Sequence, residues 1–313
     1  MLEHRTLGKD GPEVPVLGLG AWPIGGGMGH VDERAAVATI HAAIESGITL
    51  IDTAQGYRTS EAILGKALAG GYRERVFLAT KVSDSSAGGF SRRRVQSALE
   101  NSLRALQVEA IDLYQIHFWD DQTPISETME ALLRLQTEGK IRYFGVSNFT
   151  VGQMRESLKT AHVQANQLPY SLFDRWIENG EIDYCEREGI GILAHSTLAK
   201  GLLAGKYTPD WTFPANDERS DAATFPQFHG KRFQQYLAAA EQLKAVAHDK
   251  GLTLLQLAIA WTLRHPAVTC ALVGAKTPEH VEHYLGAVGV SFSEGELAQI
   301  GAIIADTPTE RWY

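Results

Sequence analysis

The 313-residue sequence predicts an α/β protein, a (β/α)8 or TIM barrel with an N-terminal β-hairpin and extra C-terminal helices. Three observations carry that reading. Short apolar, β-rich runs recur eight times, stretches of helical periodicity lie between them, and polar residues end most of the runs. Alternation of buried strand and amphipathic helix implies a parallel sheet. Eight such units in a chain of this size fit a closed barrel better than an open sheet.

The elements follow in order. Residues 3–15 stand outside the repeat, and Asp10-Gly11-Pro12 between extended flanks predicts a hairpin there. The strands are predicted at 16–20, 49–52, 76–81, 111–117, 141–147, 163–167, 191–195 and 269–274. Helices are predicted at 33–46, 60–69, 92–106 and 126–138, then at 232–250, 253–264 and 294–305. The glycine-rich stretch from Gly18 to Gly27 invites a dinucleotide-fingerprint reading. Pro23 stands where the third glycine belongs and no suitable βαβ unit follows, so it reads as a loop with Ala21 and Trp22 lining a pocket. Segment 207–230 has three prolines, several aromatics and no periodicity; a loop that long in a compact domain points to an active-site lid. No linker or charge run divides residues 1–313, which reads as a single domain.

Composition narrows the function. With 29 Lys+Arg against 37 Asp+Glu, the net charge of −8 argues against bulk electrostatic binding of nucleic acid or an anionic membrane. An apolar fraction of 44% supports a large core and excludes intrinsic disorder. Two cysteines, Cys185 and Cys270, make no disulfide framework and read as packing residues in a reducing cytoplasm. No apolar stretch resembles a signal peptide or a membrane span. His280 and His283 lie one helical turn apart but lack an evident third ligand, so no metal site is expected.

The strand ends carry the chemistry. Asp52, Lys81, His117, Ser147-Asn148, Gln167, His195-Ser196 and Gly274-Ala275-Lys276 close successive runs, and such ends converge on the active face of a barrel. A lysine there loses hydration and needs a counter-charge, which Asp52 supplies from the neighbouring strand. Tyr57 follows Asp52 by five residues and can fold back over the mouth. An ammonium beside its hydroxyl is expected to lower its pKa and make it a general acid, with His117 donating to the same substrate oxygen. There is no evident nucleophile, metal cluster or carboxylate pair, so a hydride donor must come from elsewhere. Trp22, Tyr57, His117 and Trp119 are the expected substrate-pocket residues.

These residues stand in stretches that resemble the aldo-keto reductases. The matching motifs are 51–57 with Ser60-Glu61 and Leu64-Gly65, Ala79-Thr80-Lys81, 112–117, 139–148 and 201–207, in the right order along the chain. The pattern is similar to a bacterial type near the branch of channel β-subunits and sugar dehydrogenases. The resemblance implies reversible carbonyl–alcohol conversion of a small molecule with a nicotinamide cofactor, NADPH/NADP+ in preference to NADH. It makes Asp52, Tyr57, Lys81 and His117 the catalytic tetrad.

The same resemblance implies a cofactor site of Gly20, Ala21, Trp22, Asp52, Ser147, Asn148, Gln167, His195, Ser196, Leu198, Gly201, Lys206, Gly274, Lys276 and His280. Three positions depart from the family pattern. His195 stands where a stacking tyrosine or tryptophan is usual, His280 where Arg or Gln is usual, and Tyr284 where Asn is usual. A helix start at Thr277-Pro278-Glu279 favours phosphate, and Lys276 beside it is expected to pair with a 2′-phosphate. The family also contains cofactor-binding regulatory subunits with little turnover; loss of Tyr57 or Lys81 would favour that alternative, and both are present. The sequence leaves the oligomeric state open.

Overall fold

The computed structural model describes residues 2–83 and 89–308. Strands β1 (His4–Thr6) and β2 (Glu13–Pro15) form the expected antiparallel hairpin, with Thr6 opposite Glu13. Its turn needs left-handed backbone, which Gly8 and Asp10 supply at φ 68° and 55°. The hairpin lies under the barrel. Arg5 Nη1 donates to the carbonyls of Leu263 and Val268 at 3.2 and 2.7 Å, and Leu7 and Val14 are fully buried.

Eight parallel strands close the barrel: β3 (Leu17–Gly20), β4 (Leu50–Asp52), β5 (Phe77–Val82), β6 (Ile111–Ile116), β7 (Ile141–Ser147), β8 (Ala165–Pro169), β9 (Gly191–His195) and β10 (Val268–Val273). Closure is made by β10, which pairs with both β9 and β3. The predicted strands are all present, those at 141–147 and 191–195 with the predicted bounds and the others with ends displaced by one or two residues. The largest shift is β8, predicted at 163–167, which starts later and runs on to Pro169 because Leu168 and Pro169 pair with Ala194 and His195.

The helices α1 (Glu33–Glu45), α2 (Ser60–Ala67), α3 (Arg92–Leu106), α4 (Ile125–Thr137), α5 (Val151–Leu158) and α6 (Glu181–Glu188) alternate with the strands. α7 (Gly230–Asp249), α8 (Leu254–Leu263), α9 (Pro278–Leu285) and α10 (Glu294–Ile304) follow. α8 is apolar almost all round because it is buried between β10 and the helices α7 and α9. α10 is an extra layer against α7.

Two cores result. The larger joins helices to the outer faces of the strands. The smaller fills the barrel, where Leu50, Ala79, Leu113, Ala165, Leu193 and Cys270 meet Leu7 and Val14 of the hairpin region. Side chains on a strand alternate faces, so the residue two positions further on also points inward. Those residues are Asp52, Lys81, Gln115, Gln167, His195 and Leu272. Apart from Leu272, a polar layer thus sits on an apolar one, and the site is built on it.

Candidate active site

Asp52 is 2% exposed and every oxygen is engaged. Its Oδ1 accepts from Lys81 Nζ at 2.6 Å, and its Oδ2 accepts from Gln167 Nε2 at 2.8 Å and Gln115 Nε2 at 3.2 Å. The fully buried Lys81 directs its ammonium to three acceptors: Asp52, the Thr53 carbonyl at 2.9 Å and Tyr57 Oη at 3.4 Å. Burial lowers the pKa of Lys81 and the Asp52 carboxylate opposes that fall. A cation so placed keeps its charge only because its three hydrogens are matched.

Tyr57 reaches this layer from the turn between β4 and α2. The glycine-rich loop after β3 packs on its backbone, and a Cβ at Gly25 would collide with the Tyr57 carbonyl. The sequence predicts a lowered phenol pKa, and the structure reverses the direction. Burial pushes it well above the ordinary tyrosine value, and the Asp52 and Glu218 carboxylates add to the rise. Lys81 does not overcome this because its charge is already matched by Asp52 at 2.6 Å.

His117 lies edge-on to Tyr57, with ring centroids 5.7 Å apart, and stacks on Phe118 at 4.3 Å. Its Nδ1 meets Ser83 Oγ at 2.8 Å. Burial, with Lys81 and His195 nearby, holds its pKa well below 6.5, so the ring is neutral at physiological pH. His195 is neutral for similar reasons, burial first and then Lys200 and Lys81. Its Nε2 lies 3.0 Å from Asn148 Oδ1 and its Nδ1 3.1 Å from Ser196 Oγ. The imidazole is therefore held at a fixed angle, and it stays uncharged across neutral pH.

These groups open into a cleft of about 540 Å³ at the C-terminal ends of the strands. Gly20, Trp22, Ser147, Asn148, Gln167, Ser196, Leu198, Gly201, Lys206, Gly274, Lys276 and His280 line it with Asp52, Tyr57, His117 and His195. Two expected members lie elsewhere. Ala21 is fully buried, donating its backbone N–H to the Asp52 carbonyl at 2.8 Å, because alternation turns it away from the cleft. Trp119 packs edge-on against Phe149 at 5.3 Å and donates to Asp121 at 2.6 Å. Phe118, one residue earlier and 44% exposed, faces the cleft instead.

Segment 207–230 crosses towards the loop after β3. Asp217 bridges to Met28, Glu218 N–H donates to the Gly27 carbonyl at 3.2 Å, and Arg58 pairs with Glu218 at 2.9 Å. Buried Arg219 pins the segment by pairing with Asp217 at 2.5 Å and donating to Tyr207 Oη at 2.6 Å and the Lys200 carbonyl at 2.9 Å. The Phe213 ring lies 4.8 Å from its guanidinium carbon. Lys276 is drawn into the same structure, donating Nζ to the Met28 carbonyl. At the far end Tyr284 Oη donates to the Gly274 carbonyl at 2.6 Å, and the exposed His280 and His283 border the cleft.

Sequence reasoning missed Gln115, Thr53, Ser83, Lys200 and Arg219. An amide inside the apolar run 111–116 was the available signal for Gln115; the others act from loops or through the backbone.

The family model for the "Aldo/keto reductase family" matches residues 16–305. The chain belongs to the aldo/keto reductase family. Aldo-keto reductase YhdN of Bacillus subtilis (strain 168) is 38% identical over 316 residues, covering 98% of this chain and 95% of that protein. A glycerol dehydrogenase structure from Gluconobacter oxydans superposes with a TM-score of 0.84 at 37% identity, covering 96% of this chain and 94% of the other. An aldo-keto reductase from Klebsiella pneumoniae, solved in complex with NADPH, gives a TM-score of 0.77 at 32% identity, covering 99% and 98%. Among the described residues of this aldo/keto reductase, no helix is long and apolar enough to cross a membrane.

Proposed function

We propose that the protein reversibly reduces an aldehyde or ketone to the alcohol by direct hydride transfer from NADPH, with Tyr57 as general acid and base. The observation that carries the reading is the Asp52–Lys81–Tyr57 chain of contacts, at 2.6 and 3.4 Å, opening beside a neutral His117. The donor set fits the cofactor. Lys206, Arg219 and Lys276 line one cleft of a chain whose net charge is −8. Gly274 keeps that cleft open, since a Cβ there would lie 2.8 Å from Pro23 Cγ. The Klebsiella relative was solved with NADPH.

Bound NADPH supplies the hydride. Ser147, Asn148 and Gln167 would hold its carboxamide, with His195 and Ser196 beside the ring. Leu198, Gly201 and Lys206 would take the pyrophosphate, and Lys276 and His280 the 2′-phosphate. Tyr57 delivers its proton to the carbonyl oxygen as negative charge develops there, and Lys81 stabilises the phenolate left behind. Neutral His117 orients the same oxygen, with Ser83 fixing its ring. Phe118, Trp22 and Phe225 keep the reacting end apolar, which strengthens each of these interactions.

The test is titration with NADPH and NADH by tryptophan quenching, followed by 4-nitrobenzaldehyde and absorbance at 340 nm. Saturable binding tighter for NADPH, with loss of absorbance on adding the aldehyde, is expected. Binding of neither nucleotide, or binding with no turnover, overturns the proposal.

A further inference from the structure

Lys200 belongs to none of the groups above. It sits on the loop after β9 in left-handed backbone, φ 51°, between Ala199 at φ 50° and Gly201 at φ 107°. Its carbonyl is held by Arg219 at 2.9 Å, so the residue is anchored by its backbone while its side chain enters the cleft. The ammonium lies 4.4 Å from the Phe225 centroid and 5.5 Å from that of Trp22, rings contributed by two different loops. Those two rings stand 6.3 Å apart.

The rings around this charge set it apart from the cations of the phosphate end. Lys206, Lys276, His280 and His283 act on one another. Lys200 acts on His195 and feels Glu218, whose charge also reaches Tyr57, and it shares Arg219 with Lys206 and Lys276. Its flanking rings, Trp22 and Phe225, are the ones assigned above to the reacting end of the cleft. Glu218 is itself paired with Arg58.

We propose that Lys200, held between Trp22 and Phe225, recognises an anionic group, a carboxylate or phosphate ester, on the carbonyl substrate. This rests on the carbonyl-reductase reading and assigns it a substrate class. The aromatic walls set the ammonium's position and exclude water, so an incoming anion meets a cation in a less polar setting than bulk water. Neutral aldehydes of similar shape gain nothing from the contact.

The test compares succinic semialdehyde with butanal, and glyceraldehyde 3-phosphate with glyceraldehyde, in wild type, K200M and K200R. The ratio of kcat/KM for the anionic over the neutral aldehyde should fall at least tenfold in K200M, through KM, and return to within threefold in K200R. NADP+ Kd, read by tryptophan quenching, should shift much less than that ratio. A wild-type measurement gives a second arm if K200M fails to fold. Burial lowers the Lys200 pKa to about 7, so the charge is present below pH 7 and lost above it. Glu218, Asp174, Arg219 and His195 face it, and the comparison is run from pH 6 to 8.5. The succinic semialdehyde preference should therefore fall across that range.

A ratio unmoved by both K200M and pH, with neutral aldehydes still reduced, overturns this proposal alone. Equal weakening of NADP+ and of both aldehydes also overturns it, because the charge then serves the cofactor pyrophosphate. Failure of the wild type to reduce any aldehyde overturns the reductase reading beneath it.

Discussion

At Tyr57 the phenol is pulled in two directions. Lys81 donates to its oxygen, while burial and the carboxylates of Asp52 and Glu218 hold the proton on. An acid whose pKa lies far above neutrality is fully protonated across the working range. Reduction should therefore stay nearly flat through neutral pH, and oxidation should climb with pH as the phenolate becomes populated. Parallel pH–rate profiles in the two directions would contradict this. Tyr57→Phe removes the proton and little else, so it should cut kcat by about 10² or more while NADP+ Kd moves little. The residues of this chain of contacts were readable because charged side chains ended apolar runs. Gln115 is not, because it lies inside the run that His117 ends; Lys200 sits in a loop where spacing carries no information.

Among the elements, segment 207–230 shows what sequence periodicity cannot reach. Its aromatics mark it as ordered, but its course depends on Arg219 meeting Asp217, Tyr207 and the Lys200 carbonyl in one buried cluster. Removing the charge leaves Asp217 buried beside fewer partners, a costly arrangement. Arg219→Gln should make limited proteolysis within 207–230 faster by about tenfold with little change in global Tm; unchanged cleavage would show that the aromatics alone hold it. The short helices α5 and α6, each of eight residues, are likewise not marked by periodicity. α5 nevertheless has a readable start, since Thr150 and Gln153 form a capping box. The boxes of Thr253 with Gln256 and Ser293 with Glu296 likewise begin α8 and α10 at the predicted places.

For the whole molecule, two neutral histidines beneath the cleft link folding to acidity. His117 and His195 both have folded pKa values depressed below 6.5. A base whose folded pKa is depressed contributes stability that is present above its unfolded value and lost as pH falls. Tm should thus begin to fall below about pH 6.5, ahead of paired carboxylates such as Asp217, whose pKa lies below 3.8. His195→Gln, an amide that cannot ionise, should flatten the decline between pH 6.5 and 5. A slope unaltered by that change would place the acid sensitivity elsewhere.

The barrel interior ties chemistry to parity. Leu50 and Asp52, Ala79 and Lys81, Leu113 and Gln115, Ala165 and Gln167 are each one step of two apart, the lower member packing and the upper one polar. Loss of one residue before Lys81 within β5 would turn the lysine outward and put Val82 in its place, while β4 still presented a carboxylate. Insertions and deletions in these strands are thus forbidden far more strictly than substitutions. The upper positions can be respelled one at a time on an unchanged foundation, so a scaffold of this kind can vary its chemistry by point changes alone.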